Sequence, residues 1–552
     1  MNNKQKLELN WIGKHDPKNK MSPEPRILIE TPEYSYEKHN EDVEQISFAD
    51  SDKPKPQFNN MLIHGDNLLA LKSLELEYTG KIKCIYIDPP YNTSAACSSY
   101  DDNLEHSAWL NLMKPRIELL KSLLSKNGII CIQIDDSPNS ATGQSSEKAY
   151  LQVLIDEVFG RKNYVTDLVW KKKGNSSNTA GTIGTITESI FVYAKDKKYC
   201  QVNRQHFEKT YKFADEKGPY NLETFLKTDA GAYKRDTMKF EIKDYKSGKT
   251  YLPPEGQRWT YGKNTIDELN AKGMLVFKNN RVYVKKYKEG DDTKLYNNLL
   301  LEHGSLKSAK EELSSLGFSR ESFETPKPEI LLERILNMFS NPGDIVLDSF
   351  LGSGTTAAVA QKMGRKWIGI ELGDHAYTHC YKRLKAVVDG EQGGISKEVN
   401  WHGGGGFKFY ELAPSLIEKS KFGNPIISKK YDMEMLAQAV AKHKGYFYEP
   451  DSEVEWKQSK NGDKNFLFVT TNYITPDYLE YIHSMLKNDE HLLITTKAYH
   501  KNCENQFPNI TVQQIPQSLL GDCDFMVDSY SLNVNEQQSE SQKQEEADEN
   551  ED

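Results

Sequence analysis

The 552-residue chain is poor in everything that would tie it to a membrane, a metal or an export route. No apolar run approaches the ~20 residues a bilayer-spanning helix needs, so no membrane association is expected. The N-terminal stretch, with Lys4, Lys6, Glu8 and Lys14, has no hydrophobic signal region. Seven cysteines (Cys84, Cys97, Cys131, Cys200, Cys380, Cys503 and Cys523) are scattered, and no CxxC or His/Cys cluster is present. Neither a disulfide framework nor a zinc site is expected, and a reduced, cytoplasmic setting fits. A GxxxxGK[ST] phosphate loop is also missing, which excludes a nucleotide-driven motor within this chain.

What is there begins with charge. The net −9 is unpromising for a nucleic-acid protein until it is divided by region. Residues 536–552 hold eight acids against one lysine, or −7, while residues 161–300 hold 28 Lys or Arg against 17 acids, or +11. A basic segment inside an acidic chain is a sharper footprint than the total, although a merely solvated surface would look the same.

Two stretches carry chemistry. Ile82-Lys83-Cys84-Ile85-Tyr86-Ile87 reads as a buried strand, followed at once by Asp88-Pro89-Pro90-Tyr91. Two prolines fix φ and remove donors, so the strand stops and the loop is stiff. Ligands of open α/β sheets sit beyond such strand ends. An acid, two rigid carbonyls and an aromatic ring there suit a planar amine. The plainer alternative is an ordinary proline turn with a surface tyrosine.

The second stretch, Asp344 to Thr356, is a strand followed by the glycine turn Phe350-Leu351-Gly352-Ser353-Gly354. A helix from Ala357 to Met363 and a strand from Lys366 to Ile370 follow, ending in Glu371. A βαβ unit with a glycine turn after its first strand and an acid after its second can hold an adenosine moiety. Phosphate binding is disfavoured because no lysine follows the glycines, and a dinucleotide dehydrogenase would leave Asp88 to Tyr91 unexplained.

Together the two stretches resemble the amino-group DNA methyltransferases, whose hallmarks are Asp-Pro-Pro-Tyr and Phe-x-Gly-x-Gly loops. With the catalytic loop first, the chain is similar to their permuted β group, and more narrowly to modification subunits of type III restriction–modification systems. The resemblance runs from about His64 to Tyr410. It implies an α/β fold: a doubly wound, Rossmann-like, circularly permuted methyltransferase sheet that uses S-adenosylmethionine (SAM).

The resemblance further implies that Asp88, Pro89, Pro90 and Tyr91 grip and stack an adenine amine. Cofactor contacts are expected from Asp66, Lys327, Asp348, Phe350, Gly352, Gly354, Thr355 and Glu371. Asp66 faces the cofactor adenine by this reading, or caps the helix that follows, or both. Lys327 lies against the methionine end. Double-stranded DNA is the expected substrate, with adenine N6 as target. Cytosine N4 and a pure DNA-recognition subunit are the alternatives. A helicase–nuclease restriction subunit in a separate chain and a homodimer are the expected partners.

Around these stretches the chain divides into an extended arm (1–60), a catalytic half (61–204), a target-recognition insertion (205–320), a cofactor half (321–412), a small α/β domain for dimerisation or partner contact (413–533) and a disordered acidic tail (534–552). In the catalytic half, the resemblance makes Trp170 the candidate aromatic near the target base, with a core tryptophan as the commoner alternative, and a basic loop with Lys171, Lys172 and Lys173 follows. The insertion interleaves aromatics with bases, offering Lys234, Arg235, Arg258, Lys285 and Lys286 to DNA. The four glycines Gly403 to Gly406 are expected to form a hairpin turn.

Overall fold

Apolar strands alternate with amphipathic helices along most of the chain, and that rhythm sets the architecture. The computed structural model describes residues 8–15, 22–38, 60–90, 102–136, 147–175, 183–207, 209–229, 235–288, 292–320, 322–528 and 530. They divide into two compact units, one from residues 1–203 and 297–552, the other Arg204–Tyr296.

The first unit is built on one large sheet. Its elements in chain order are β1 (Leu28–Glu30), β2 (Tyr36–Lys38), β3 (Met61–His64), α1 (Asn67–Tyr78), β4 (Ile82–Ile87), α2 (Asp102–Leu123), β5 (Leu124–Asp135), α3 (Lys148–Phe159), β6 (Tyr164–Lys171) and β7 (Thr187–Ala194). After the second unit come β8 (Leu299–Leu300), α4 (Leu306–Ser315), α5 (Glu329–Phe339), β9 (Ile345–Asp348), α6 (Thr355–Lys362), β10 (Lys366–Glu371), α7 (Lys382–Asp389) and β11 (Gly405–Leu412). The spatial order is β1-β11-β3-β10-β9-β4-β5-β7-β6-β8, with β2 also on β11. From β11 to β5 all neighbours run parallel, whereas β7 is antiparallel to both β5 and β6.

Central strands of such a sheet are covered on both faces, which is why they read as continuous apolar runs. In β4 every residue except Lys83 is buried. The core joins Ile85, Ile87, Ile130 and Ile132 of the sheet to Trp109, Met113, Ile117 and Leu120 of α2. Helix ends follow local chemistry: the Asp66 side chain caps α1, and Gly160 at φ 85° ends α3.

Several expectations change. Residues 28–38, read as part of an extended arm, form two strands on the sheet edge through pairing with β11. The insertion is shorter than 205–320: Leu299 and Leu300 pair with Val169 and Trp170, returning the chain to the large sheet. The glycines at 403–406 make no hairpin. Gly403 and Gly390 approach backbone to backbone, where a Cβ on Gly390 would sit 2.7 Å from the His402 carbonyl oxygen, and the run leads straight into β11. Residues 413–528 contain a five-stranded sheet with parallel strands Asn465–Thr470 and His491–Thr496 joined through the helix Pro476–Met485. Glu24 fastens this region to the arm by accepting the Leu416 N–H at 2.7 Å. The tail from 531 onward lies outside the described residues.

The second unit has its own core of Phe225, Ile242, Trp259, Ile266, Val282 and Val284. A four-stranded antiparallel sheet orders Leu275–Lys278, Arg281–Tyr287, Gly218–Thr224 and Phe213–Asp215.

Candidate active site at the strand tips

The parallel strands of the large sheet end in acids: Asp348 closes β9, Glu371 closes β10, Asp135 closes β5, Asp88 follows β4, and Asp66 follows β3 by two residues. Between β9 and β4 the winding reverses, since β9 continues through α6 to β10 on one side and β4 through α2 to β5 on the other. Such a switch point is where an open α/β sheet forms its ligand crevice. The register sets Leu347 beside Ile85 and Val346 beside Cys84, so the Asp88 loop and the Phe350–Gly354 turn leave adjacent strands at one edge.

At the β4 tip, the Lys327 ammonium meets Asp88 Oδ2 at 2.6 Å and Glu188 Oε2 at 3.6 Å. Lys172 meets Asp135 Oδ1 at 2.5 Å and Glu188 Oε1 at 3.4 Å. Gln133 Nε2 donates to Glu188, and the Tyr86 hydroxyl donates to Gln133 Oε1 at 2.5 Å. The result is an alternating row of charges, Asp88, Lys327, Glu188, Lys172 and Asp135, with both lysines about 5 % exposed. Burial pulls the Lys327 pKa down, but Asp88 and Glu188 outweigh it and hold the ammonium above the ordinary lysine value. Lys327 therefore stands on the predicted catalytic carboxylate, a partner the sequence reading did not assign to it.

The loop itself is pinned: Pro89 is buried and the Pro90 carbonyl accepts the Trp109 indole N–H at 2.7 Å. Tyr91 lies outside the described residues.

At the β9 tip, Asp348 accepts the Thr356 hydroxyl at 2.6 Å and the Phe350 N–H at 3.0 Å. Burial pushes its carboxyl up to about 7, resisted by those two donors and reinforced by the Asp88 and Glu371 charges. Glu371 accepts the N–H of Gly352 at 2.7 Å and of Gly373 at 3.1 Å, so it braces the turn. Burial raises its pKa, and those two N–H groups pull it back. Gly352 and Gly354 adopt φ of 58° and 83°, in the region glycine favours. A Cβ would lie 3.1 Å from the Phe323 ring at Gly352 and 3.3 Å from Cys380 Cα at Gly354. Both glycines thus answer to backbone conformation and to protein neighbours. Phe350 is half-buried against the core. Thr355 donates its hydroxyl to the Lys327 carbonyl at 3.0 Å, coupling the turn to the lysine.

Asp66 takes the capping role. One oxygen accepts the Leu68 and Leu69 N–H groups, the other meets Arg116 at 3.3 Å and the Tyr530 N–H at 2.9 Å, and the side chain is fully buried.

The predicted DNA contacts separate sharply. Trp170 is wholly buried with its indole N–H on the His303 carbonyl at 3.1 Å, so it is a core residue and not a surface against which a base can stack. Lys172 belongs to the buried charge row, which removes it from the phosphate-binding set, while Lys171 and Lys173 remain half-exposed. In the second unit, Arg258 lies 3.6 Å from Asp229, Lys285 pairs with Asp215 at 2.6 Å, and Arg235 and Lys286 are exposed. Lys234 lies outside the described residues.

Sequence reasoning missed Glu188, Gln133 and Asp135. A signal existed: polar Gln133 interrupts the apolar run of β5, and Glu188 opens an otherwise apolar β7. The register sets Glu188 directly across from Asp135, a like-charge pair that a sheet tolerates only with a cation between them.

A doubly wound α/β domain whose winding reverses between an acid–proline loop and a glycine turn is the class that fold and site define. A family model described as DNA methylase, of the N6/N4 methyltransferase type, matches residues 82–382, over half of the chain, and the chain belongs to that family. Among curated proteins it is 34 % identical over 428 residues to the probable type III restriction-modification enzyme HindVI Mod subunit of Haemophilus influenzae, covering 64 % of this chain and 54 % of that one. It is 29 % identical over 394 residues to the type III restriction-modification enzyme StyLTI Mod subunit of Salmonella typhimurium, covering 63 % and 55 %. A shorter match, 55 % identical over 110 residues, joins 18 % of this chain to 35 % of the DNA adenine methyltransferase YhdJ of Escherichia coli. The chain spans about half the length of the two Mod subunits it matches.

Proposed function

We propose that this chain is a site-specific DNA methyltransferase that moves a methyl group from SAM to N6 of an adenine in duplex DNA, as the modification subunit of a type III restriction–modification system. The observation that carries the reading is the placement of the Asp88 loop and the Phe350–Gly354 turn on adjacent parallel strands at the switch point. The Mod subunits among its relatives support the type III role, and the likeness to a DNA adenine methyltransferase supports the adenine target.

The residues present fit the cofactor. Asp348, held near neutral pKa by burial and by neighbouring acids, is a carboxyl that a cationic ligand would return to its anionic form. Ser349 Oγ is buried beside it without a hydrogen-bond partner among the described residues, an orphan that a polar ligand can satisfy. SAM, when bound, supplies an electrophilic methyl on a sulfonium. Phe350, Gly352, Gly354, Thr355 and Glu371 would form its cradle, with Asp348 toward the amino-acid end.

The exocyclic amine of adenine is a weak nucleophile because its lone pair is delocalised into the ring. By this reading Asp88 and the Pro89 carbonyl accept its two N–H bonds and turn the lone pair outward, while Tyr91 stacks on the ring. Rigid prolines lose little entropy in doing so, and the rate gain comes from orientation and preorganised charge. The Asp88 carboxylate, with one oxygen on the Lys327 ammonium, is an acceptor held in place for those bonds. A base within the duplex cannot reach this edge, so the target is flipped out at a cost of a few kcal/mol. Phosphate contacts from the basic second unit, with Arg235 and Lys286 exposed, help offset that cost. A helicase–nuclease subunit on a separate chain and a homodimeric assembly complete the proposal.

Modification-sensitive sequencing of host DNA with and without the gene reports base, atom and motif together. N6-methyladenine in one motif, lost on deletion, is the expected result. N4-methylcytosine, or no change, overturns the reading.

A further inference from the structure

The row of charges at the β4 tip has a buried carboxylate, Glu188, at its middle. Glu188 sits at the start of β7, the antiparallel strand, which brings its side chain back toward the carboxyl ends of β4 and β5. Its Oε2 lies 3.6 Å from Lys327 and its Oε1 3.4 Å from Lys172, so one carboxylate spans two ammonium groups. Gln133 fixes the carboxylate's orientation, and the buried Tyr86 hydroxyl fixes Gln133 in turn. Lys327 is thereby suspended between Glu188 and Asp88. Lys172 is suspended in the same way between Glu188 and Asp135.

We infer that Glu188 is the positioning residue of the active site: acting through Lys327, it sets where the ammonium stands on Asp88 and so how the Asp88 carboxylate is presented to the target amine. The inference rests on the methyltransferase reading for the word amine, and on geometry alone for the rest. Two physical points favour it. A lysine facing a single carboxylate could approach it from several sides. Lys327 rests on Asp88 at 2.6 Å, and Glu188 at 3.6 Å on the far side is a second anchor that fixes the direction of that approach. Burying Lys327, Glu188 and Lys172 also costs several kcal/mol per ion before pairing, a cost greater than a single strand-end tie would justify. Lys172 shares Glu188 from the other side and meets Asp135, so it anchors the far end of the row.

The test compares the full-length chain with Glu188→Gln and Lys172→Met, using duplex DNA that carries the recognised motif and labelled SAM. For Glu188→Gln, kcat should fall on the order of 10²-fold, the cost of a misplacement near 1 Å, while cofactor affinity by calorimetry and KM for DNA stay within about twofold. The alkaline fall of kcat should begin at lower pH than in wild type, because Lys327 has lost an anion that holds its proton. Lys172→Met should keep the alkaline range at least as wide as wild type, because a competing cation is gone. A crystal structure of Glu188→Gln should show Nζ of Lys327 farther from position 188 than in wild type. Wild-type kcat in Glu188→Gln, a reduced kcat with an unshifted pH profile, or an unmoved Lys327 would each overturn the inference. If wild type itself methylates no DNA, the functional reading fails instead, and the position of Lys327 in the variant decides the network by itself.

Discussion

Two clusters of buried charge lie in the large unit, and they are built to different ends. One is the row at the β4 tip. The other sits under the glycine turn, where Lys362 pairs with Glu329 at 2.7 Å and also with Glu391, and Arg383 reaches Glu329 at 2.9 Å and Glu312 at 3.8 Å. The second cluster has a sealed centre, with Glu329, Lys362 and Arg383 all within 4 % of full burial, while its outer carboxylates Glu391 and Glu312 are 13 % and 17 % exposed. Arg383 continues from it to Thr355 Oγ1 at 2.8 Å, so its output is the rigidity of the turn. The first cluster ends instead in Asp88, about 19 % exposed at its side chain and open to the crevice. The two differ in where they end: one on the hydroxyl of Thr355 in the glycine turn, the other on the Asp88 carboxylate.

Substitutions that break each cluster should separate these roles. The largest effect belongs to the open one: Asp88→Ala should lower methylation by about 10³-fold or more while calorimetry shows SAM affinity retained. Retained activity would remove Asp88 from the reaction. In the second cluster, Glu329→Gln should cost about 3 kcal/mol of stability, because two buried cations lose the carboxylate they share. Thermal melting measures this, and a loss confined to activity would contradict the division.

A subtler effect comes from Glu312. Burial raises its carboxyl from an ordinary 4.5 to about 7, with the Arg383 charge pulling it back and Glu329 pushing it further. The folded chain therefore holds this proton more tightly than the unfolded one. The stabilisation is complete below about 4.5 and is lost as pH rises through about 7. Glu312→Gln keeps the neutral form at every pH, so the decline in melting temperature between pH 5 and 8 should be shallower in that variant. The smallest effect is expected in the second unit. The Lys285–Asp215 pair is near the surface, and Lys285→Ala should leave melting almost unchanged while weakening DNA binding if that face meets phosphate.

The strands and helices were legible because their periodicities are strong, and α5 at Glu329–Phe339 matches the spacing of its apolar residues. Asp88 and the glycine turn were legible because local backbone chemistry marks them. What was hidden depends on contacts between distant segments. Lys327 meets Asp88 across 239 residues, and no local pattern announces it. Trp170 beside three lysines looks like a DNA contact, yet it is buried and its indole N–H goes to the His303 carbonyl, 133 residues downstream. Asp66 caps its helix as its local sequence suggests, but its Arg116 and Tyr530 partners are far along the chain.

The seam between β4 and β9 also has a bearing on how the chain is made. Val346 pairs with Cys84, so 261 residues separate neighbours at the centre of the sheet, and non-local pairing of this kind slows folding. While a ribosome is still translating the second unit, β4 is an unfinished border with open backbone donors and acceptors, the feature that invites wrong partners. Each half of the crevice is thus born as an aggregation hazard, and docking of β9 along β4 closes that border as it assembles the active site.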